Sequence, residues 1–348
     1  MALLFLTDER FLEHVAGKKH PESPARLEAV WKGLDNLLLE EDLVRIAPRI
    51  ATETELLRCH PIKHIQALEA VDAQGGGRID PDTGISAGSW SAARLAAGSG
   101  LTAVEALIET EAETAFCAIR PPGHHATSDR SMGFCLINNI AITAASLIAK
   151  GEKVAVIDID AHHGNGTQEI FYSDPRVLMI SIHQWPLYPG TGSEEEMGEL
   201  EGQGFTVNIP LPPGSTGSTY RSALDHIVVP LVEDFQPDWI LVSAGFDAHR
   251  EDPLTDMGLT SGDFADLIAN LFNLAPKSRC IFFLEGGYNL QALTDSVSAS
   301  FASIMGIDLR PESATGDGPG IEVVNRVAQL HGVVLCCLLY TSPSPRDS

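Results

Sequence analysis

The sequence predicts a single three-layer α/β/α domain with a mainly parallel central sheet, and three observations predict it. Apolar, strand-like runs recur at residues 114–119, 154–159, 177–182, 239–243 and 280–284. Helical segments sit between several of them, at 138–150, 220–235 and 261–274, and such alternation builds parallel strands with helices on both faces. Each run also ends in polar, reactive residues, and open α/β sheets gather ligands beyond the carboxyl ends of their strands. With 348 residues, 44% of them hydrophobic, the chain has enough for one large core. It carries no internal repeat and no interdomain linker, so one domain over residues 1–332 is expected.

In chain order, residues 3–6 read as a short first strand. His20, Glu22 and Arg26 then read as an ordinary capped helix start, with Leu27, Val30, Leu34 and Leu37 at helical spacing. A second amphipathic helix is expected over 54–73. The glycine-rich 74–78 and the Asp80-Pro81-Asp82-Thr83-Gly84 turn suggest an exposed loop before an alanine-rich helix over 89–109. After the regular β/α region, 321–329 has the pattern of a last amphipathic helix. Residues 333–348 break every pattern and read as a non-native or disordered tail, outside the functional argument.

Charge narrows the partners. Lys and Arg total 23 against 47 Asp and Glu, a formal charge of −24, so direct binding to phosphate backbones is disfavoured. The six cysteines are irregularly spaced, with no CxxC pair and no disulfide framework. The amino terminus lacks a basic signal-peptide region, and no apolar run has membrane-spanning length. A cytoplasmic protein without a membrane partner is expected, with homo-oligomerisation left open.

The chemistry concentrates in Asp158-Ile159-Asp160-Ala161-His162-His163-Gly164-Asn165-Gly166-Thr167, directly after the 154–159 run. In extended backbone alternate side chains share a face, so Asp158, Asp160 and His162 would point together. Two carboxylates and an imidazole are costly to bury unless a cation neutralises them; the bland alternative is a polar corner with a satisfied core histidine. The other strand ends add His124 and His125, His183, Asp247, and Tyr288. Together they favour a metal-dependent catalytic site. Asp160, His162 and Asp247, with no thiolate, suit zinc or another divalent first-row ion in an open site. Such an ion activates water for hydrolysis. The His124–His125 pair is then the candidate base, Asp158 and Asn165 its orienting partners. Tyr288 is a candidate donor to a developing oxyanion, or a capped turn tyrosine.

Six motifs carry a family resemblance: Arg120-Pro121-Pro122-Gly123-His124-His125-Ala126, Met132-Gly133-Phe134-Cys135, the Asp158–Thr167 run, Pro189-Gly190-Thr191-Gly192, Ser243-Ala244-Gly245-Phe246-Asp247 and Glu285-Gly286-Gly287-Tyr288-Asn289-Leu290. The chain resembles the histone deacetylase family, nearer its class II branch and the bacterial amidohydrolases, over residues 20 to about 331. The resemblance implies the arginase/deacetylase fold and a zinc-dependent lysine deacetylase. It implies zinc on Asp160, His162 and Asp247, with His125 as general base and acid oriented by Asn165. It pairs His124 with Asp158 as the electrostatic partner and gives Tyr288 the scissile carbonyl. Gly133 and Phe134 would line the acyl-lysine tunnel, faced by Tyr188, with Asp80 or Asp82 at the rim. A structural potassium ion (K+) would fall on Asp158, Ser181 and Ile182, with the Asp160 and His162 backbone.

Two positions discriminate among relatives. Binuclear arginase-type sites need carboxylates where this chain has Gly164 and His249. Polyamine-specific relatives carry a glutamate where this chain has Leu254, so a neutral acyl-lysine side chain fits better. The partners implied are acylated lysines of protein or peptide substrates. An acetylpolyamine amidohydrolase and a non-catalytic acyl-lysine binding protein are the alternatives.

Overall fold

The computed structural model describes residues 2–35, 37 and 42–333. Among the described residues ten strands form two sheets. In chain order they are β1 (Leu3–Leu6), β2 (Leu43–Ile46), β3 (Gly76–Asp80), β4 (Thr83–Ser86), β5 (Thr114–Cys117), β6 (Val154–Asp158), β7 (Val177–Gln184), β8 (Thr206–Leu211), β9 (Trp239–Ala244) and β10 (Cys280–Leu284). Eight build one sheet in the order β2-β1-β5-β10-β9-β6-β7-β8. Every neighbouring pair in it is parallel. Strands β5, β6, β7, β9 and β10 are buried along their whole length, which is why they read as continuous apolar runs.

Helices flank the sheet in two groups. Pro24–Asp35 packs on Leu290–Ile304, which packs on Ser261–Leu274. Ser89–Glu109 packs on Asn139–Ile148. Between β6 and β9 the connections part: β6 leads outward to β7, and β9 leads the other way to β10. Such a switch point opens a crevice at the carboxyl ends of the strands.

Several expectations need correction. The helix expected over 54–73 is two helices, Glu53–Leu56 and Ile62–Ala73, because Pro61 cannot continue the first and caps the second. The loop expected around 74–84 is the antiparallel β3–β4 hairpin. Strands β2 and β8 were not expected; both are sheet edges, where a strand need not be apolar on both faces. Val44 and Arg45 are exposed in β2, and Pro210 interrupts the apolar run of β8. Glu22 and Arg26 do not form a simple capped start, since both are fully buried. The terminal helix Ile321–Leu330 is present, and the expected tail lies outside the described residues from 334 onward.

Candidate active site

The crevice between β6 and β9 collects the predicted groups. Strand β6 stops at Asp158, so Asp160 and His162 lie in the following turn and not on a strand face. Their direction comes from short side-chain turns instead. Asp158 Oδ1 accepts the Asp160 N–H at 3.1 Å, and Asp160 Oδ1 accepts the His162 N–H at 2.8 Å. The Asp-x-Asp-x-His spacing is therefore a backbone device as well as a ligand pattern.

Asp247 arrives from the end of β9. Its Oδ1 accepts the Ala161 N–H at 2.8 Å, and its Oδ2 lies 2.9 Å from His162 Nδ1. Asp160 Oδ1 is 3.1 Å from the same nitrogen, and Asp160 Oδ2 accepts the Gly286 N–H at 2.7 Å. All three residues are buried, and one ligand atom from each lies within 4.8 Å of the others. It is the one such group among the described residues. The electrostatics favour a positive charge there. Burial works against protonation of His162, yet the Asp247 and Asp160 carboxylates raise its pKa to about 10. Burial, then the Asp160 charge, pushes Asp247 up to about 7. A divalent cation relieves both perturbations, so the donor set fits one.

The two histidines after β5 are held differently. His124 Nδ1 lies 2.9 Å from Asp158 Oδ2; burial opposes its charged form, but Asp158 and Asp160 raise its pKa well above the ordinary value. His125 Nδ1 lies 2.8 Å from Asn165 Oδ1. An amide oxygen only accepts, so that nitrogen carries the proton and Nε2 keeps its lone pair. Burial and the neighbouring His124 and His162 rings hold the His125 pKa well below its ordinary value.

A cleft of about 240 Å³ opens over these groups, lined by Asp82, His125, Gly133, Phe134, His162, Leu187, Tyr188, Leu254 and Tyr288. The rings of Tyr188 and His125 meet edge to face at 5.2 Å between centroids, and those of Phe134 and Tyr288 at 5.8 Å. Gly133 is required: a Cβ there would sit 2.4 Å from the His125 ring. Burial raises the Tyr288 phenol well above its ordinary pKa, so it stays a neutral donor.

Most predicted site residues thus meet in one place, with Asp158 and Ser181 paired across β6 and β7 and Ile182 next along. His183 does not join them. It is buried within β7, bonded to Ser181 Oγ and the Gly192 carbonyl. Asp80 is turned away to an ion pair with Arg130, while Asp82 lines the cleft. Sequence reasoning missed Leu187 and the groups that hold the site from outside. Glu285 Oε2 accepts the N–H groups of Gly123 and His124 at 2.7 and 3.2 Å. Asp252 Oδ2 accepts the Tyr288 N–H at 2.7 Å, and Arg26 donates to the carbonyls of Glu285 and Gly287. Only the position of Glu285 inside a motif marked it; the other two are ordinary in sequence.

Comparison with known proteins covers nearly the same residues. The histone deacetylase domain family matches residues 20–304. A probable deacetylase of Archaeoglobus fulgidus is 42% identical over 308 residues, covering 86% of this chain and 86% of that protein. A histone deacetylase-like amidohydrolase of Pseudomonas aeruginosa is 40% identical over 281 residues, 79% of this chain and 74% of its own. The crystal structure of the HDA15 HD domain aligns with a TM-score of 0.87 at 35% identity, covering 95% of this chain and 94% of that one.

Proposed function

The chain belongs to the histone deacetylase family, and from that premise we propose that it is a zinc-dependent hydrolase removing acetyl, or a related acyl group, from the ε-nitrogen of lysine in proteins. One observation carries the reading. A buried Asp160–His162–Asp247 cluster lies at the floor of a cleft whose wall also presents the free Nε2 of His125.

Zinc held by these three residues would supply Lewis acidity toward water and an amide carbonyl. The remaining work falls to the chain. His125, neutral and oriented by Asn165, takes the proton of the attacking water and later returns one to the leaving amine. His124, kept charged beside Asp158, stabilises the negative charge that develops next to it. Tyr288 donates its hydroxyl to the carbonyl oxygen as that oxygen gains charge. Gly133, Phe134, Tyr188 and Leu254 form an apolar passage for a four-carbon lysine stem. We further assign a structural potassium ion to Asp158, Ser181 and Ile182; the adjacency of the first two across β6 and β7 supports this. The catalytic unit is placed in residues 1–332. A cytoplasmic setting accords with four buried, free cysteines, Cys59, Cys117, Cys135 and Cys280. No helix among the described residues is long and apolar enough to cross a membrane.

The alternative substrate, an acetylated polyamine, draws its support from Asp82, a carboxylate in the same lining as Leu254. One experiment tests metal and substrate together. The enzyme is stripped with a chelator, reloaded with zinc, and assayed in parallel on an acetyl-lysine peptide and acetylputrescine. Expected are loss of turnover on stripping, its return with zinc, and preference for the peptide. Full activity after stripping sinks the metal assignment, and a strong polyamine preference sinks the substrate.

A further inference from the structure

The turn of the β3–β4 hairpin reaches across to the cleft wall. Thr83, 1% exposed, donates its hydroxyl to Asp82 Oδ1 at 2.7 Å and accepts the backbone N–H of Phe134 at 3.1 Å. Asp82 Oδ1 also accepts the N–H of Gly133 at 3.2 Å. Two consecutive amides of the wall therefore end on one hydroxyl–carboxylate pair from a distant hairpin.

Those two residues need holding. Gly133 has φ +56° and Phe134 has φ +69°. Glycine adopts that conformation freely, whereas a Cβ-bearing aromatic is strained there and persists only when its surroundings over-determine it. The turn itself supplies part of that hold: Met132 and Cys135 exchange both backbone N–H···O=C bonds around Gly133 and Phe134, at 3.1 and 3.0 Å. His20 meets the Phe134 ring edge to face at 4.5 Å, with its Nε2 3.1 Å from the Asp82 carbonyl, so the ring contact is tied to the same hairpin. On the other side Gly133 lies against the His125 ring with no room for a Cβ.

We propose that Thr83 is a positioning residue that sets substrate affinity: its hydroxyl ties the Met132–Cys135 turn at Phe134 to the hairpin and so fixes one wall of the acyl-lysine passage. This rests on the reading that the cleft takes an acyl-lysine side chain. Without the hydroxyl the Phe134 amide loses its acceptor, the turn keeps only the Asp82 tie to the hairpin, and the ring is no longer fixed against the wall. Thr83 makes no bond to the metal ligands, His125 or Tyr288, so the loss falls on binding more than on chemistry.

Thr83→Val keeps the shape and removes the hydroxyl; Thr83→Ser keeps the hydroxyl. Both are compared with the wild type on an acetyl-lysine peptide, with thermal melts to verify folding. The expected result for T83V is a KM roughly tenfold higher with kcat within about twofold, and near wild-type constants for T83S. An unchanged KM in a folded T83V overturns the proposal. So does equal impairment of T83S, which would point to methyl packing, or a fall in kcat alone. Should T83V lack a native melt, Thr83→Ala carries the same comparison. A wild type inert on the peptide strikes the substrate reading instead, and the same variants on acetylputrescine then test the wall by itself.

Discussion

Tyr288 depends on its neighbours for direction. Its N–H is held by Asp252, the preceding carbonyl by Arg26, and the Arg26 guanidinium lies 4.8 Å from the ring centroid. The side chain is thus placed by groups from two separate segments, while the phenol, neutral through burial, is left to the cleft. Tyr288→Phe removes only the hydroxyl. We predict a kcat lower by about 100-fold or more, the usual cost of one oxyanion donor, with KM and bound zinc little changed. Steady-state kinetics beside a metal determination decides it, and unchanged turnover would remove the oxyanion role. The motif around Tyr288 was legible because its chemistry is local. Asp252 and Arg26 were not, since nothing in their own stretches states what they touch.

Elements are joined by a buried ionic cluster. Glu22 sits beside the helix Pro24–Asp35 and accepts from Arg120, just beyond β5, at 2.5 Å (Nε to Oε1) and 2.7 Å (Nη2 to Oε2). Arg26 Nη1 lies 3.4 Å from the same carboxylate, and His14 Nε2 lies 3.4 Å away. Burial alone would raise the Glu22 pKa, but Arg120 and His14 hold it well below the carboxylate range. Arg26 in turn clamps the turn after β10, so one carboxylate ties the first helix to two central strand ends. Removing one partner strands buried charge. We therefore expect Glu22→Ala to lower stability by about 3–5 kcal/mol, read from denaturant midpoints at constant m-value. A loss below about 1 kcal/mol would show that the cluster does not anchor the helix. The residues look like a capped helix start in sequence, because the partners of Glu22 include one 98 residues away.

At the scale of the molecule, acid stability has an identifiable component. His60 is buried with Nδ1 2.9 Å from the Ser128 carbonyl, while Nε2 accepts the Asn138 N–H at 2.9 Å. That pattern requires the neutral ring, and burial lowers its pKa from 6.5 to about 4. The unfolded chain therefore takes up a proton as pH falls from about 6.5 to 4, while the folded protein does not. Stability from His60 is complete above about pH 6.5 and is lost on the way down to 4, on the order of 3 kcal/mol in all. Replacing it, as His60→Gln, should flatten the dependence of melting temperature on pH between 6.5 and 4. Referring the variant to the wild type cancels the changing repulsion among the 47 acidic residues, which is common to both. Equal slopes would contradict the assignment.

By itself the sequence determined the class of fold, the inner strands and the reactive motifs. Strands such as β6 and β10 must be apolar on both faces, and the Asp158–Thr167 run carries its own turn chemistry. Tertiary structure decided which motifs meet. Asp247 reaches His162 because β9 pairs with β6, a contact between residues 85 apart that no local pattern encodes. The same strand order left His183 inside β7 and made β2 and β8 edges. Side-chain chemistry is written locally, but its assembly depends on long-range pairing, settled only when the whole sheet packs.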